Sequence, residues 1–103
     1  MSAFMIVYMT LSDSDWMTAY FAEVPKLIAE YGGTPVAGGR NVIRAEGDMP
    51  VPDRMAIIEF PSGRAAQDFL DDPRYRASRI ARQHGSTSQI FLLENAAVGG
   101  ALA

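Results

Sequence analysis

Cysteine is absent from the 103 residues, and histidine occurs once. The lack of cysteine excludes disulfide bonds, thiolate nucleophiles and zinc sites with cysteine ligands. No apolar run approaches the roughly 20 residues that a membrane-spanning helix needs. Nine basic residues stand against twelve acidic ones, for a net charge of −3, and no basic cluster occurs. Nucleic-acid binding is therefore disfavoured.

Two further absences concern targeting and cofactors. Residues 1–10 lack both the basic segment and the small-residue cleavage site of a signal peptide, so we expect a soluble, cytoplasmic protein. Neither glycine-rich motif of nucleotide-binding proteins is present. With one histidine and no cysteine, we expect neither a metal site nor a bound cofactor.

The hydrophobic content is 49%, which is enough for one core in a chain of this length. We expect a single domain over residues 1–95. Residues 96–103 are small and uncharged, which favours a flexible C-terminal tail. A strip that lies on a partner is the alternative for this tail.

Hydrophobic patterning predicts four strands and two helical regions in the order β-α-β-β-α-β. The expected strands are 4–9, 34–46, 54–60 and 89–94. Pro35 cannot donate to a strand ladder, so the second strand is expected at the sheet edge, with a bulge or close backbone approach at Gly38 and Gly39.

Start and stop signals delimit the helices. Apolar residues recur at three- and four-residue spacing from Met17 to Tyr31, after a capping box at Ser12 and Asp15 and with a kink expected at Pro25. In the second helical region, Ser62 caps a short helix, and Asp72 followed by Pro73 starts another.

This order of elements is the ferredoxin-like pattern of an α+β protein, a four-stranded antiparallel sheet with its helices on one face. Segments 4–9, 55–58 and 90–93 do not alternate between apolar and polar residues, so both sheet faces are apolar while helices cover only one. Leaving about five or six such side chains wet, at ~1.5–3 kcal/mol each, costs on the order of 10 kcal/mol. That matches the net stability of a domain. We therefore predict a homodimer joined through the open sheet face by a twofold axis.

Several short motifs, taken in order, resemble the domain-of-unknown-function 1330 family over about residues 3–95. They are Tyr31-Gly32-Gly33, Gly38-Gly39, Glu46-Gly47, Ile57-Ile58-Glu59-Phe60-Pro61-Ser62, Asp72-Pro73 with Tyr75, and Arg82. The resemblance implies a dimeric α+β barrel, in which two ferredoxin-like units join their sheets. It implies no activity. Met49 stands where the family often has an aromatic residue.

Glu59 and Arg82 are the first two candidate site residues. Glu59 is a carboxylate in an apolar strand, where burial is costly unless the group is paired. A structural carboxylate, paired to an arginine or facing the sheet edge, is the more common role of such a group. The functional alternative places Glu59 in a cleft between sheet and helices, where acid–base use is conceivable. Arg82 follows Arg76 and Arg79 at three-residue spacing, and its guanidinium is suited to Glu59 or to a ligand anion. The other two arginines fit a solvated face.

Four other residues are candidates. His84 lies near a helix C-terminus, where a capping role is more common than a catalytic one. Trp16, Tyr20 and Tyr31 follow the first helix, where aromatic residues usually belong to the core but can line a pocket.

The combined prediction is a small, aromatic or carboxylate molecule bound in a cleft between sheet and helices. Its ligand-binding candidates are Arg82, Glu59, His84, Tyr20, Tyr31 and Trp16. Similar dimeric α+β barrels include cofactor-free monooxygenases and isomerases, so an enzyme of that kind is one alternative. A structural or regulatory dimer without a ligand is the other.

Overall fold

The structure is a computed structural model that describes residues 2–99. The strands are β1 (Ser2–Leu11), β2 (Thr34–Gly39), β3 (Arg54–Phe60) and β4 (Ser86–Ala96). The helices are α1 (Met17–Glu30), α2 (Gly63–Asp71) and α3 (Arg76–Gly85), and a 3-10 turn at Pro73–Tyr75 joins the last two. The strands form one antiparallel sheet in the order β2-β3-β1-β4, which confirms the predicted ferredoxin-like topology.

The helices cover one face of this sheet and form the core with it. Alternate residues of β1 are buried there, among them Ala3, Met5 and Met9. The core side chains are Met5, Val24, Leu27, Phe60, Ala66, Phe69 and Tyr75. The ring of Phe69 lies 6.0 Å from Phe60 and 4.5 Å from Tyr75, so aromatic contacts join β3, α2 and the 3-10 turn.

The other face of the sheet, called the open face below, carries no helix and is also apolar. The register sets Ile6 opposite both Ile57 and Phe91, on this face. The apolar residues of the open face are Phe4, Ile6, Tyr8, Ala37, Met55, Ile57, Phe91 and Leu93. Phe91 is 58% exposed and Leu93 54% exposed. The predicted two-sided apolar sheet is therefore confirmed.

Local signals set most element boundaries as expected. Gly32 adopts a positive φ of 78° after α1, a conformation that glycine enters at little cost, and its N–H donates to Ala29. The Ser62 hydroxyl accepts from the Ala65 N–H at 3.0 Å, and Asp72 Oδ1 accepts from the Arg74 N–H at 2.7 Å. Both predicted caps are confirmed.

The predicted capping box before α1 is wrong. Asp13 Oδ1 accepts from the Asp15 N–H at 3.1 Å, and the first turn of α1 has no side-chain cap. The carbonyl of Gly85 accepts instead from Ser12 and Asp13, at 2.9 and 3.2 Å. This segment is held by the α3–β4 junction, a contact between distant parts of the chain that the local pattern does not contain.

The extents of β2 and β4 also differ from expectation. β2 is an edge strand as predicted, but it ends at Gly39 rather than at residue 46, and its bulge lies between Pro35 and Ala37 rather than at the glycine pair. β4 is longer than expected, because β1 offers it pairing along almost its whole length. Its last residue is Ala96, so the expected tail begins inside a strand, and residues 100–103 of it lie outside the described residues. Within residues 2–99 no helix has both the length and the apolarity needed to cross a bilayer.

Candidate functional site

Glu59 and Arg82 lie on opposite sides of the sheet. Phe60 is fully buried against the helices, so its neighbour Glu59 lies on the open face, opposite Phe4 and Thr34 in the register. The expected position of Glu59 between sheet and helices is therefore wrong, and so is its pairing with Arg82. Because both faces of the sheet are apolar, the sequence pattern does not show which face the helices cover.

Tyr31 belongs to a separate polar cluster centred on Asp72, which is 8% exposed. The Tyr31 hydroxyl donates to Asp72 Oδ2 at 2.6 Å, and Arg74 Nη2 donates to the same oxygen at 2.9 Å. Arg74, then Tyr31, hold the pKa of Asp72 below its usual range, while the hydrogen bond to Asp72 raises the pKa of Tyr31. This cluster ties the end of α1 to the α2–α3 junction. His84 lies elsewhere, exposed in the last turn of α3.

Arg82 is 4% exposed, in the layer between sheet and helices. Its Nη1 donates to the Ser88 hydroxyl on β4. Ser86 Oγ donates to the Arg82 carbonyl at 2.6 Å and lies 3.1 Å from Ser88 Oγ. Since the Ser86 proton is used on that carbonyl, Ser88 donates to Ser86. The two serines thus form a short directional chain that fixes the guanidinium.

Tyr20 and Trp16 of the first helix lie on the same side as Arg82. The Tyr20 hydroxyl is 2.7 Å from the Tyr75 hydroxyl, and the rings of Trp16 and Tyr20 meet edge to face at 5.2 Å. Burial, and then Tyr75, raise the pKa of Tyr20, while the nearby Arg82 opposes the shift. Tyr20 is therefore a neutral phenol at physiological pH. Of the six candidates, the structure brings together Arg82, Tyr20 and Trp16.

Among the described residues, no carboxylate pairs with the buried guanidinium of Arg82. The ion pairs among residues 2–99 are Arg64–Asp68, Arg74–Glu30 and Arg74–Asp72, and none includes Arg82. A second arginine, Arg54, is directly opposite Met9 on β1, and Met9 is directly opposite Ser88. Arg54 and Ser88 therefore flank Met9 on the helix side of the sheet. The Nε atoms of Arg54 and Arg82 are both buried without a hydrogen-bond partner among the described residues.

Neither Arg54 nor either of the two serines is among the candidates that the sequence predicts. Counting back from Phe60 in steps of two would have placed Arg54 on the buried face of β3. Ser86 and Ser88 carry no comparable signal, because their contact with Arg82 depends on how α3 turns back into β4.

A cavity lined by the described residues lies on the open face and not in the layer between sheet and helices. It has a volume of about 520 Å³. Its lining residues are Tyr8, Met9, Thr10, Met49, Pro50, Pro52, Thr87, Gln89 and Phe91. Two further cavities, of about 450 and 430 Å³, lie between the sheet and the segment 40–52 that follows β2. Among the described residues no group of three or more histidine, aspartate or glutamate side chains is placed to hold a metal ion.

Comparison with known proteins gives a family and a fold. The sequence profile of the family described as Domain of unknown function (DUF1330) matches residues 2–96. Comparison with curated proteins gives no match.

Three solved structures show the shared fold. The RPA0582 protein of unknown function from Rhodopseudomonas palustris is 21% identical with a TM-score of 0.78, over 93% of this chain and 83% of that one. A dimeric ferredoxin-like protein of unknown function from Jannaschia sp. CCS1 is 13% identical with a TM-score of 0.68, over 91% and 99%. SnoaB, a cofactor-independent oxygenase from Streptomyces nogalater, is 16% identical with a TM-score of 0.65, over 95% and 96%.

Proposed function

Because the chain belongs to the family described as Domain of unknown function (DUF1330), whose description carries no activity, we propose a function from the geometry. The protein is a homodimer joined through the open face, and it holds a small uncharged aromatic molecule in the 520 Å³ cavity on that face. The position of this cavity, on an apolar surface that a second copy would cover, is the observation that carries the proposal.

The dimer follows from the cost of leaving the open face in water. Phe91 and Leu93 are both more than half exposed there, beside the partly exposed Ile6 and Ile57. A contiguous apolar patch of this kind marks an interaction surface in a folded protein. A second copy fits it best, because a twofold axis sets the same apolar rows against each other without any further partner. The Jannaschia protein, described as dimeric, shares this fold.

The cavity has the size and composition of a small-molecule site. Ligand pockets are typically about 300–1,000 Å³, mostly apolar, with a few polar groups that orient the ligand. Tyr8, Met49 and Phe91 supply apolar surface, while Thr87 and Gln89 supply hydrogen-bonding groups. A flat aromatic molecule suits these walls, and a second subunit would roof them.

The lining supports binding rather than catalysis. It holds no carboxylate and no imidazole, so none of its side chains is suited to act as a general base near neutral pH. The oxygenase alternative is therefore supported by the similarity of fold to SnoaB, but this cavity supplies no side chain suited to the reaction.

A titration with indole tests the proposal. The wild-type protein is expected to bind one indole per protomer and to melt at a higher temperature with it, since the ligand binds the native form alone. Thr87→Phe fills the cavity and should weaken binding at least tenfold, about 1.4 kcal/mol. Thr18→Phe makes the same chemical change on the exposed surface of α1 and should leave affinity unchanged.

Sedimentation equilibrium of the same samples measures the oligomeric state. A stable, folded monomer at micromolar concentration contradicts the dimer. A dimer that binds no indole contradicts the ligand, and then the cavity is a socket for side chains of the partner subunit.

A further inference from the structure

The aromatic cavity on the open face is one end of a longer groove. The 430 Å³ cavity shares Tyr8 and Met49 with it, and shares Ile43 and Met55 with the 450 Å³ cavity. The three cavities therefore adjoin one another across the sheet, from β4 over β1 and β3 to β2. Since neighbouring strands lie about 4.8 Å apart, the groove crosses roughly 14 Å.

The walls of this groove change in character along its length. At the β4 end it is lined by the rings of Tyr8 and Phe91, whose centroids lie 6.0 Å apart. At the β2 end none of the lining residues in the described chain is aromatic. The apolar lining there is formed chiefly by Ala37, Gly39, Ile43, Met55 and Ile57. An aromatic ring therefore suits the β4 end, and an alkyl chain suits the β2 end.

The β2 end has free space next to the sheet. Gly39 is opposite Met55 in the register, on the open face, and a Cβ added at Gly39 would meet nothing within 4 Å. Segment 40–52, which contains no helix or strand, forms the other wall of this part of the groove. In that segment the side chain of Ile43 is 85% exposed. An alkyl chain lying between the sheet and this segment would remove apolar surface of both from water.

The charged residues that line the groove do not select an ionic ligand. They all belong to segment 40–52 and are exposed: Arg40, Arg44, Glu46 and Asp48. Two are basic and two are acidic, so their formal charges cancel. An uncharged chain therefore fits this part of the groove, while the four charged side chains stay in water.

We propose that the groove binds an uncharged aromatic molecule with an unbranched alkyl tail. The ring lies at Tyr8 and Phe91, and the tail runs between the sheet and segment 40–52 toward Gly39. This inference rests on the proposed function, because the ring occupies the aromatic cavity, and it adds the length and shape of the ligand. A linear tail fits better than a branched one, since the sheet and segment 40–52 bound it on two sides.

A series of para-alkylphenols tests the tail site. Calorimetry measures the affinity of the wild-type protein for p-cresol, 4-butylphenol and 4-octylphenol. We expect affinity to rise at least a hundredfold along the series, because each buried methylene group strengthens binding by about fourfold. 4-tert-Octylphenol contains the same atoms in a branched tail and should bind at least tenfold more weakly than its linear isomer.

Substitutions at the β2 end locate the tail. Ala37→Leu fills this end and should weaken 4-octylphenol binding at least tenfold, while the affinities for p-cresol and indole stay unchanged. Ala19→Leu makes the same chemical change on the exposed surface of α1 and should alter none of the three affinities. Gly39→Leu enters the same end from the open position at the end of β2, so it repeats the test if Ala37→Leu does not fold.

The outcomes separate the tail site from the ring site. Three results would each overturn the tail site and leave the proposed function standing, provided that indole binds. They are no gain along the alkyl series, equal affinity for the two octyl isomers, and unchanged binding of 4-octylphenol by both β2 variants. Failure of indole and of every phenol to bind would overturn both proposals.

Discussion

Among single residues, the buried charges of Asp72 and Arg82 differ in how many hydrogen bonds and counter-charges the fold gives them. Asp72 receives hydrogen bonds from the Tyr31 hydroxyl, from the Arg74 side chain and from the Arg74 backbone, so the fold supplies all its compensation. The Arg82 guanidinium donates to one serine hydroxyl, that of Ser88, and no acidic side chain of residues 2–99 pairs with it. Asp72 is therefore a structural group that ties the end of α1 to the α2–α3 junction.

The lowered pKa of Asp72 predicts that the free energy of unfolding decreases at acid pH. Its pKa is held below the value in the unfolded chain, first by Arg74 and then by Tyr31, so its carboxylate stabilises the fold above a pH of about 4. That contribution is lost as the pH falls toward the lowered pKa of the native state. Asp72→Asn should thus be less stable than wild type at pH 7, by a margin that narrows between about pH 4 and pH 2.

Urea unfolding at pH 7, 4, 3 and 2 measures this margin. Asp48→Asn, at an exposed position in the segment between β2 and β3, is the control and should track the wild type throughout. A margin for Asp72→Asn that stays constant with pH would show that the carboxylate charge is not what stabilises the junction.

At the scale of elements, the junction between α3 and β4 organises one end of the molecule. The Gly85 carbonyl accepts from Ser12 and Asp13, and an added Cβ at Gly85 would overlap Trp16 Cδ1. Trp16 in turn donates from Nε1 to the Asp13 carbonyl at 2.9 Å. The start of α1, the end of α3 and the position of Trp16 are therefore set together.

Gly85→Ala should destabilise the protein by about 1–3 kcal/mol, because Trp16 must move to make room for the methyl group. The control is Gly39→Ala at the end of β2, where an added Cβ meets nothing within 4 Å and should change stability by about 0.5 kcal/mol or less. Urea unfolding gives both values. Tryptophan fluorescence should shift for Gly85→Ala alone, since Trp16 is the single tryptophan, and an unchanged spectrum would contradict the close packing.

At the scale of the whole molecule, the sheet has two apolar faces and helices for one. The core against α1, α2 and α3 is complete, while Phe91 and Leu93 on the other side remain more than half exposed. The proposed association of two copies would relieve this exposure and would make folding and assembly one equilibrium.

A lysine on the open face should dissociate the dimer. Phe91→Lys places an unpaired charge in the proposed interface twice, once from each copy, and should raise the dimer dissociation constant at least a hundredfold, about 2.7 kcal/mol. Phe21→Lys is the matched control, because Phe21 is 54% exposed against 58% for Phe91 but lies on α1. Sedimentation equilibrium measures the dimer dissociation constant of both variants. Equal dissociation of the two would exclude the open face as the interface.

Patterns along the chain are enough to predict the order of the elements, the caps at Ser62 and Asp72, the edge position of β2 and the two apolar faces of the sheet. Each of these depends on neighbours along the chain, through propensity, capping or alternation. The folded structure was needed to show that Glu59 faces away from Arg82, that β2 stops at Gly39, and that Ser88 accepts from the Arg82 guanidinium while Ser86 donates to the Arg82 carbonyl. Those facts follow from the register between strands and from the face on which the helices pack, which bring together residues far apart in sequence.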